Sequence, residues 1–145
     1  MMEIKIINLS KNPLPYYATE GSAGFDIRVQ LEAPKTLKKG EYHTFSTGLY
    51  VEIPDGTVLK IYNRSGLSCT KGVRLANNVG VIDSDYRGEL LVTLINDYPH
   101  PYTIYDGERV AQAILEPYYK VILTPVTDLS PTARNVGGYG STGKC

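Results

Sequence analysis

The chain has 145 residues, a single-domain length that buries enough surface to fold with neither disulfides nor a metal. Its 15 Lys and Arg balance 15 Asp and Glu, which excludes a strongly basic nucleic-acid coat and a long acidic tail. Hydrophobic residues make up 42% and charged residues 21%, the balance of a globular chain, and no apolar run approaches the ~18 residues of a membrane span.

Short runs rich in Val, Ile, Leu, Tyr and Thr recur along the chain, separated by turn residues. They predict strands over residues 3–8, 25–29, 42–46, 49–53, 57–62, 79–82, 90–95, 102–105, 109–116 and 121–126. Alternation of apolar and polar residues is clearest in Glu3-Ile4-Lys5-Ile6 and Leu49-Tyr50-Val51-Glu52-Ile53. Pro54-Asp55-Gly56 and Asn77-Asn78 read as tight hairpin turns. One short helix is expected, N-capped by Ser65 and stopped by Gly72. Residues 109–115 contain helix formers, but Asp106-Gly107 before them and Pro117 after them favour a strand. The pattern is that of an all-β sandwich or barrel.

The start, Met1-Met2-Glu3-Ile4-Lys5, lacks the basic and apolar parts of a signal peptide, which predicts a cytoplasmic protein, or a nuclear one if eukaryotic or viral. Cys69 and Cys145 have no metal-binding spacing and are expected as free thiols, Cys69 packed and Cys145 on a mobile end.

Several segments carry chemistry that a plain fold does not demand. Asp26 stands between apolar neighbours in Ala23-Gly24-Phe25-Asp26-Ile27 and either finds a partner or reaches solvent from a strand end. Arg64, Ser65 and Gly66 stand at the helix start, where backbone N–H groups attract anions; Ser65 can also serve as a cap alone. Asp83 and Asp85 follow an apolar strand, and in an extended segment they would point the same way. That suits metal binding, acid–base work or capping of a turn. Gln112 interrupts the apolar run of 109–115 and must find hydrogen bonds. From Asp128 onward there is little to bury, yet Arg134, Tyr139 and Gly140-Ser141-Thr142-Gly143 gather there. Such a segment is either a disordered end or a lid that orders over a phosphorylated ligand.

Taken in order, the segments Ala23–Ile27, Arg64-Ser65-Gly66-Leu67, Gly80-Val81-Ile82-Asp83-Ser84-Asp85-Tyr86-Arg87-Gly88, Arg109-Val110-Ala111-Gln112 and Arg134-Asn135-Val136-Gly137-Gly138-Tyr139-Gly140-Ser141-Thr142-Gly143 resemble the motifs of the trimeric-type dUTPases. The resemblance spans nearly the whole chain. It implies an all-β, jelly-roll-like distorted barrel (β-clip) with one short helix, residues 1–127 forming the barrel and 128–145 a flexible lid arm. It further implies hydrolysis of dUTP to dUMP and pyrophosphate, with Mg2+, in a homotrimer whose active sites are shared between subunits, and neither nucleic acid nor membrane as a partner.

By the same resemblance Asp83 and Gln112 are the catalytic residues, Asp83 as the base that activates a water. Arg64, Ser65 and Gly66 bind phosphate; Asn77, Gly80 and Ile82 receive uracil; Tyr86 packs under the deoxyribose. In the arm, Arg134 reaches the γ-phosphate, Tyr139 stacks on the base, and Gly140, Ser141 and Thr142 add donors. Asp26 touches Mg2+ through water. The family usually has Phe where Tyr139 stands, and Gly or Pro where Asn63 stands. A dCTP deaminase on the same fold is the rival enzyme, but the Gly80–Gly88 segment and the complete tail favour dUTP.

Overall fold

The computed structural model describes residues 2–141 and 143. Among them run eleven strands and one helix in chain order: β1 (Lys5–Asn8), β2 (Phe25–Arg28), β3 (Lys35–Leu37), β4 (Tyr42–Phe45), β5 (Leu49–Glu52), β6 (Thr57–Asn63), α1 (Ser65–Lys71), β7 (Val73–Leu75), β8 (Gly80–Ile82), β9 (Val92–Asn96), β10 (Tyr102–Ile104) and β11 (Arg109–Pro117). All strand pairs are antiparallel, in sheets ordered β1-β5, β10-β3, β2-β11-β6-β8 and β4-β9-β7. The result is a jelly-roll-like stack of small open sheets that do not close into a barrel. Among the described residues no helix is long and apolar enough to cross a membrane.

Alternation sets which side chains face inward. In β2, Phe25 and Ile27 are buried while Asp26 and Arg28 lie on the other face. They join Leu37, Phe45, Leu59, Leu75, Leu94, Ile104 and Val110 in one core. Burying each such side chain contributes about 1.5–3 kcal/mol, so a small chain needs the whole set. Asn96 is fully buried within it, yet satisfied: its Nδ2 donates to Leu37 O and His100 O, each at 2.9 Å, and its Oδ1 accepts from Tyr98 N at 2.9 Å.

The ten predicted runs locate nine strands. Residues 121–126 form none; they are exposed, and among the described residues no strand lies beside them. Strands β3 and β7, three residues each, lie outside the predicted runs; each has a charged residue among its three and no longer apolar run around it. Pro54-Asp55-Gly56 does turn, with Thr57 N donating to Pro54 O at 3.2 Å, but it joins β5 and β6, which lie in different sheets. The Asn77-Asn78 turn likewise joins β7 to β8 without pairing them. Both are corners rather than hairpins. Cys69 is exposed on α1 rather than packed, and Cys145 lies outside the described residues.

Candidate active site

The β2–β11–β6 strip carries one group of functional side chains. Asp26 and Gln112 are direct cross-strand partners, and Gln112 is also opposite Tyr62, so the three share one face. Arg64 follows β6 immediately. It takes the N-cap position of α1 (φ −86°, ψ 122°), one residue earlier than the expected Ser65 cap, and the helix has no side-chain cap bond. Gly72 stops the helix as expected, in the left-handed conformation at φ 68°.

The partner that Asp26 requires is double. Arg64 Nε donates to Oδ1 at 2.8 Å and Arg109 NH1 to Oδ2 at 3.0 Å. A second Arg64 nitrogen donates to Arg109 O at 3.0 Å, locking the two arginines to one carboxylate. Gln112 finds its bond too: Nε2 donates to Asn63 O at 2.9 Å, while Asn63 Oδ1 accepts from Leu75 N at 2.7 Å. Asn63 thus ties the end of β6 to both β7 and Gln112, a structural use that its side chain allows and that Gly or Pro lacks. Gly24 stands behind this face; a Cβ there would lie 3.0 Å from Ala113 O and 3.5 Å from Gln112 Oε1.

Beside Arg64 and Gly66 opens a cavity of about 360 Å³, lined also by Arg28, Lys71 and Arg109, with Glu108 the one carboxylate on its wall. Glu108 is occupied by the Tyr102 hydroxyl at 2.6 Å and Tyr105 N at 3.0 Å. Burial and that carboxylate push the Tyr102 phenol up to about 12, so it remains a neutral donor. A cavity with this charge balance suits an anion. Arg28, Lys71 and Arg109 were absent from the site expected from sequence; the Arg28–Arg109 pairing across β2 and β11 is visible only once the register is known.

The second group sits on β8 and the segment after it. Gly80 packs closely on β6: a Cβ there would lie 3.0 Å from Ile61 Cβ and 3.8 Å from Asn77 Nδ2, so Gly80 and Asn77 adjoin. Asn78 turns the corner at φ 62°. Beyond Ile82 the chain leaves the strand. Tyr86 N donates to Asp83 O at 3.2 Å, and Arg87 NH1 donates to Ser84 O at 2.7 Å and to Tyr86 O at 2.9 Å. Asp83 and Asp85 therefore sit in a turn, and the extended-strand reason for pairing them fails. Asp83 is exposed, and among the described residues its carboxylate takes part in no hydrogen bond or ion pair. The Tyr86 hydroxyl donates to Glu89 O at 2.9 Å, and its ring fills the space above Gly88, where a Cβ would lie 2.3 Å from the hydroxyl oxygen.

The tail is the third group. Its last backbone tie to the body is Tyr118 N to Gly56 O at 3.1 Å. Arg134 Nε donates to Gly137 O at 2.9 Å, Ser141 N to Gly138 O at 3.2 Å, and Tyr139 is fully exposed. Gly140 takes φ 75°. Thr142 lies outside the described residues. Among the described residues no side-chain hydrogen bond or ion pair links the functional side chains of one group to those of another, although β6 and β8 pair through their backbones, and no cluster of three or more His, Cys, Asp or Glu could hold a metal.

An open, jelly-roll-like all-β fold brings guanidinium groups together at strand ends and leaves an exposed carboxylate on a separate turn, an arrangement that suits an anionic ligand. The dUTPase family model matches residues 10–143. The chain is 47% identical over 142 residues to the deoxyuridine 5'-triphosphate nucleotidohydrolase of Finegoldia magna, which covers 98% of this chain and 99% of that protein. The dUTPase of Staphylococcus bacteriophage 80alpha, solved with dUPNHPP, matches the fold with TM-score 0.86 at 26% identity, over 97% of this chain and 98% of that one. A dUTPase of phage phi11 of S. aureus, described with a structural Mg(II) ion, has the same fold at TM-score 0.78 and 22% identity, over 89% of this chain and 99% of that one. The chain belongs to the dUTPase family.

Proposed function

We propose that the chain hydrolyses dUTP to dUMP and pyrophosphate by in-line attack of an Asp83-activated water on the α-phosphorus, keeping uracil out of DNA and supplying dUMP for dTMP synthesis. The enzyme class, dUTP diphosphatase, follows from the family. The finer reading is ours and rests on where the groups stand.

One observation carries it. Ile82 pairs with Leu59, so Asp83 leaves the sheet near one end of β6, while Arg64 follows its other end. At about 3.3 Å per strand residue the two are on the order of 15–20 Å apart along β6. A phosphate clamp and a base for the α-phosphorus must lie within one ligand's phosphate chain, so one copy does not complete a site. Half-buried Arg64, exposed Asp83 and tail groups of different copies do, and this supports a homotrimer with shared sites. The apolar tail residues Val121, Ile122 and Leu123, all largely exposed in one copy, fit that reading, since burial against another copy would remove them from water.

In the assembled site Asp83 accepts the water's proton as the oxygen attacks phosphorus. Arg64, Ser65, Gly66 and Gln112 orient the phosphate oxygens, with Asp26 and Arg109 holding Arg64. Main-chain groups of the turn from Asn77 through Gly80 to Ile82 read the uracil edge, and Tyr86 bars a 2′-hydroxyl. The tail closes with Arg134 on the γ-phosphate, Tyr139 over the base, and Gly140, Ser141 and Thr142 as donors, excluding water. Each Asp26 oxygen accepts one guanidinium N–H and keeps a lone pair, which fits a water-mediated contact to Mg2+ rather than direct ligation. When bound with the substrate, with Asp26 reaching it through water, Mg2+ would supply neutralisation of phosphate charge.

The test is a product assay with Mg2+ and dUTP, dCTP, dTTP or UTP offered separately. Conversion of dUTP alone to dUMP and pyrophosphate is expected. Uracil nucleotides from dCTP would move the protein to the deaminase branch, and turnover of dTTP or UTP at the dUTP rate would sink the pocket reading.

A further inference from the structure

The segment that carries Asp83 and Tyr86 ends on a carboxylate with an unusual set of partners. Glu89 Oε1 accepts from three donors at once: the Ser46 hydroxyl, Thr47 N at 3.0 Å and Gly48 N at 2.8 Å. These are the three consecutive residues of the corner between β4 and β5. Two successive N–H groups aimed at one oxygen make a small anion nest, closed here by a hydroxyl. The corner itself is rigid. Gly48 takes φ +68°, a Cβ there would lie 2.8 Å from Ser10 N, and the buried Thr47 hydroxyl donates to Leu90 O at 2.7 Å. Leu90 N adds a bond to Leu49 O at 2.8 Å.

From the other side, Glu89 holds the functional segment. Its main-chain oxygen accepts the Tyr86 hydroxyl, and Tyr86 N in turn donates to Asp83 O. An unbroken series of bonds therefore runs from the β4–β5 corner through Glu89 to Tyr86 and Asp83. The lack of a side chain at Gly88 lets the Tyr86 ring fold back far enough to make its part of that series.

We infer that Glu89 is a positioning residue of the active site: its side chain fastens the end of the 83–88 segment to the β4–β5 corner, and its main chain holds Tyr86, so that the sugar-facing ring and the base are set as one unit. This rests on the roles given above to Asp83 and Tyr86. Glu89 touches no substrate. A carboxylate that served only to staple the corner would affect melting and leave substrate choice alone.

The experiment compares wild type with Glu89→Ala and Glu89→Gln, assayed on dUTP and UTP at a temperature where circular dichroism and size exclusion show the native assembly. Freed from the corner, the segment shifts, and displacement of a reacting group by an ångström costs about 100-fold. Glu89→Ala is expected to lower kcat on dUTP about 10- to 100-fold and to erode the preference for dUTP over UTP. Glu89→Gln keeps an oxygen for the three donors and is expected to restore most of that preference. Native kcat and native preference in folded Glu89→Ala would overturn the inference, whatever its melting temperature. If Glu89→Ala does not fold, Ser46→Ala removes one donor of the three; it is expected to erode the preference in the same direction, and an unchanged preference overturns the inference. Asp83→Asn is run in parallel: full activity there sinks the base, whereas the dUTP-over-UTP ratio of the Glu89 variants reads Tyr86 independently of it.

Discussion

The Asp26 carboxylate and the Arg64 guanidinium, 38 residues apart in the chain, meet at 2.8 Å, and Arg109 completes the group on the second carboxylate oxygen at 3.0 Å. Two cations at one strand end would repel each other and swing into solvent without the anion between them. With less than a third of the Asp26 and Arg64 side chains exposed, the pair is screened less than a surface ion pair. On the reading proposed above, Asp26 thereby aims Arg64 before any phosphate arrives.

Asp26→Asn is expected to release Arg64 and leave Arg64 and Arg109 facing each other uncompensated. The loss of charge-assisted bonds should cost about 1–3 kcal/mol of stability. The KM for dUTP should rise more than kcat falls, because the phosphate clamp is misaimed while Asp83 is untouched. Steady-state kinetics beside thermal melting check this; an unaltered KM would remove Asp26 from the site.

Asp83→Asn keeps the shape of the side chain and removes its basicity. Asp83 has no protein partner among the described residues, so the fold should melt as wild type does. Turnover should drop about 10²–10⁴-fold, the range for a positioned base, with dUTP binding retained. Binding by calorimetry and single-turnover rates separate the two effects, and full turnover would assign the water to another group.

Residues and local chemistry foretold much of this. Alternation in Leu49-Tyr50-Val51-Glu52 marks the core face of β5, the lone Asp26 in an apolar strand calls for a partner, and Gly72 marks the helix end. Local chemistry could not tell a hairpin from a corner, since Pro54-Asp55-Gly56 turns the same way whether or not the strands it joins go on to pair. Residues 121–126 are rich in Val, Ile and Leu like a strand, but a strand is a property of two partners, and this copy offers only one. The sharing of Asp26 by Arg109, and the reach of Glu89 to residues 41 to 43 positions away, are tertiary facts with no local trace.

Gly72 closes α1 at φ +68°, and a Cβ there would lie 2.0 Å from the Tyr98 ring, whose hydroxyl donates to Cys69 O at 3.0 Å. Gly72→Ala therefore meets both left-handed strain, about 1–2 kcal/mol, and a clash that pushes Tyr98 off the helix. The melting temperature should fall by several degrees, and by more than for Gly66→Ala, whose Cβ would meet nothing within 4 Å. Equal melting of the two variants would contradict this account of the cap.

Every hydrogen bond of the described residues from Thr127 onward closes within the tail. Truncation after Ala133 should accordingly leave the melting temperature and the assembled state unchanged while abolishing most turnover, because Arg134 and Tyr139 go with it. Size exclusion, melting and the product assay report the three quantities separately. Wild-type turnover in the truncated chain would end the lid reading.

The Glu89 contact also sets a pH dependence. Burial alone would raise its carboxyl, but the hydrogen bonds from Ser46, Gly48 and Thr47 outweigh it and hold the group below its ordinary 4.5. A carboxyl lowered by folding contributes its stability above the unfolded value and loses it as pH falls through the folded one. The melting difference between wild type and Glu89→Gln should therefore be constant from neutral pH down to about 5, then shrink as the pH falls below 4.5. Glu41, Glu52 and Glu116 are also held low, by backbone or lysine partners, and their acid losses cancel between the two proteins because neither variant touches them. Thermal melts of both proteins from pH 7 to pH 3 make the comparison. A difference that stays constant over the whole range would mean that Glu89 holds the corner by shape alone, and that its charge contributes nothing.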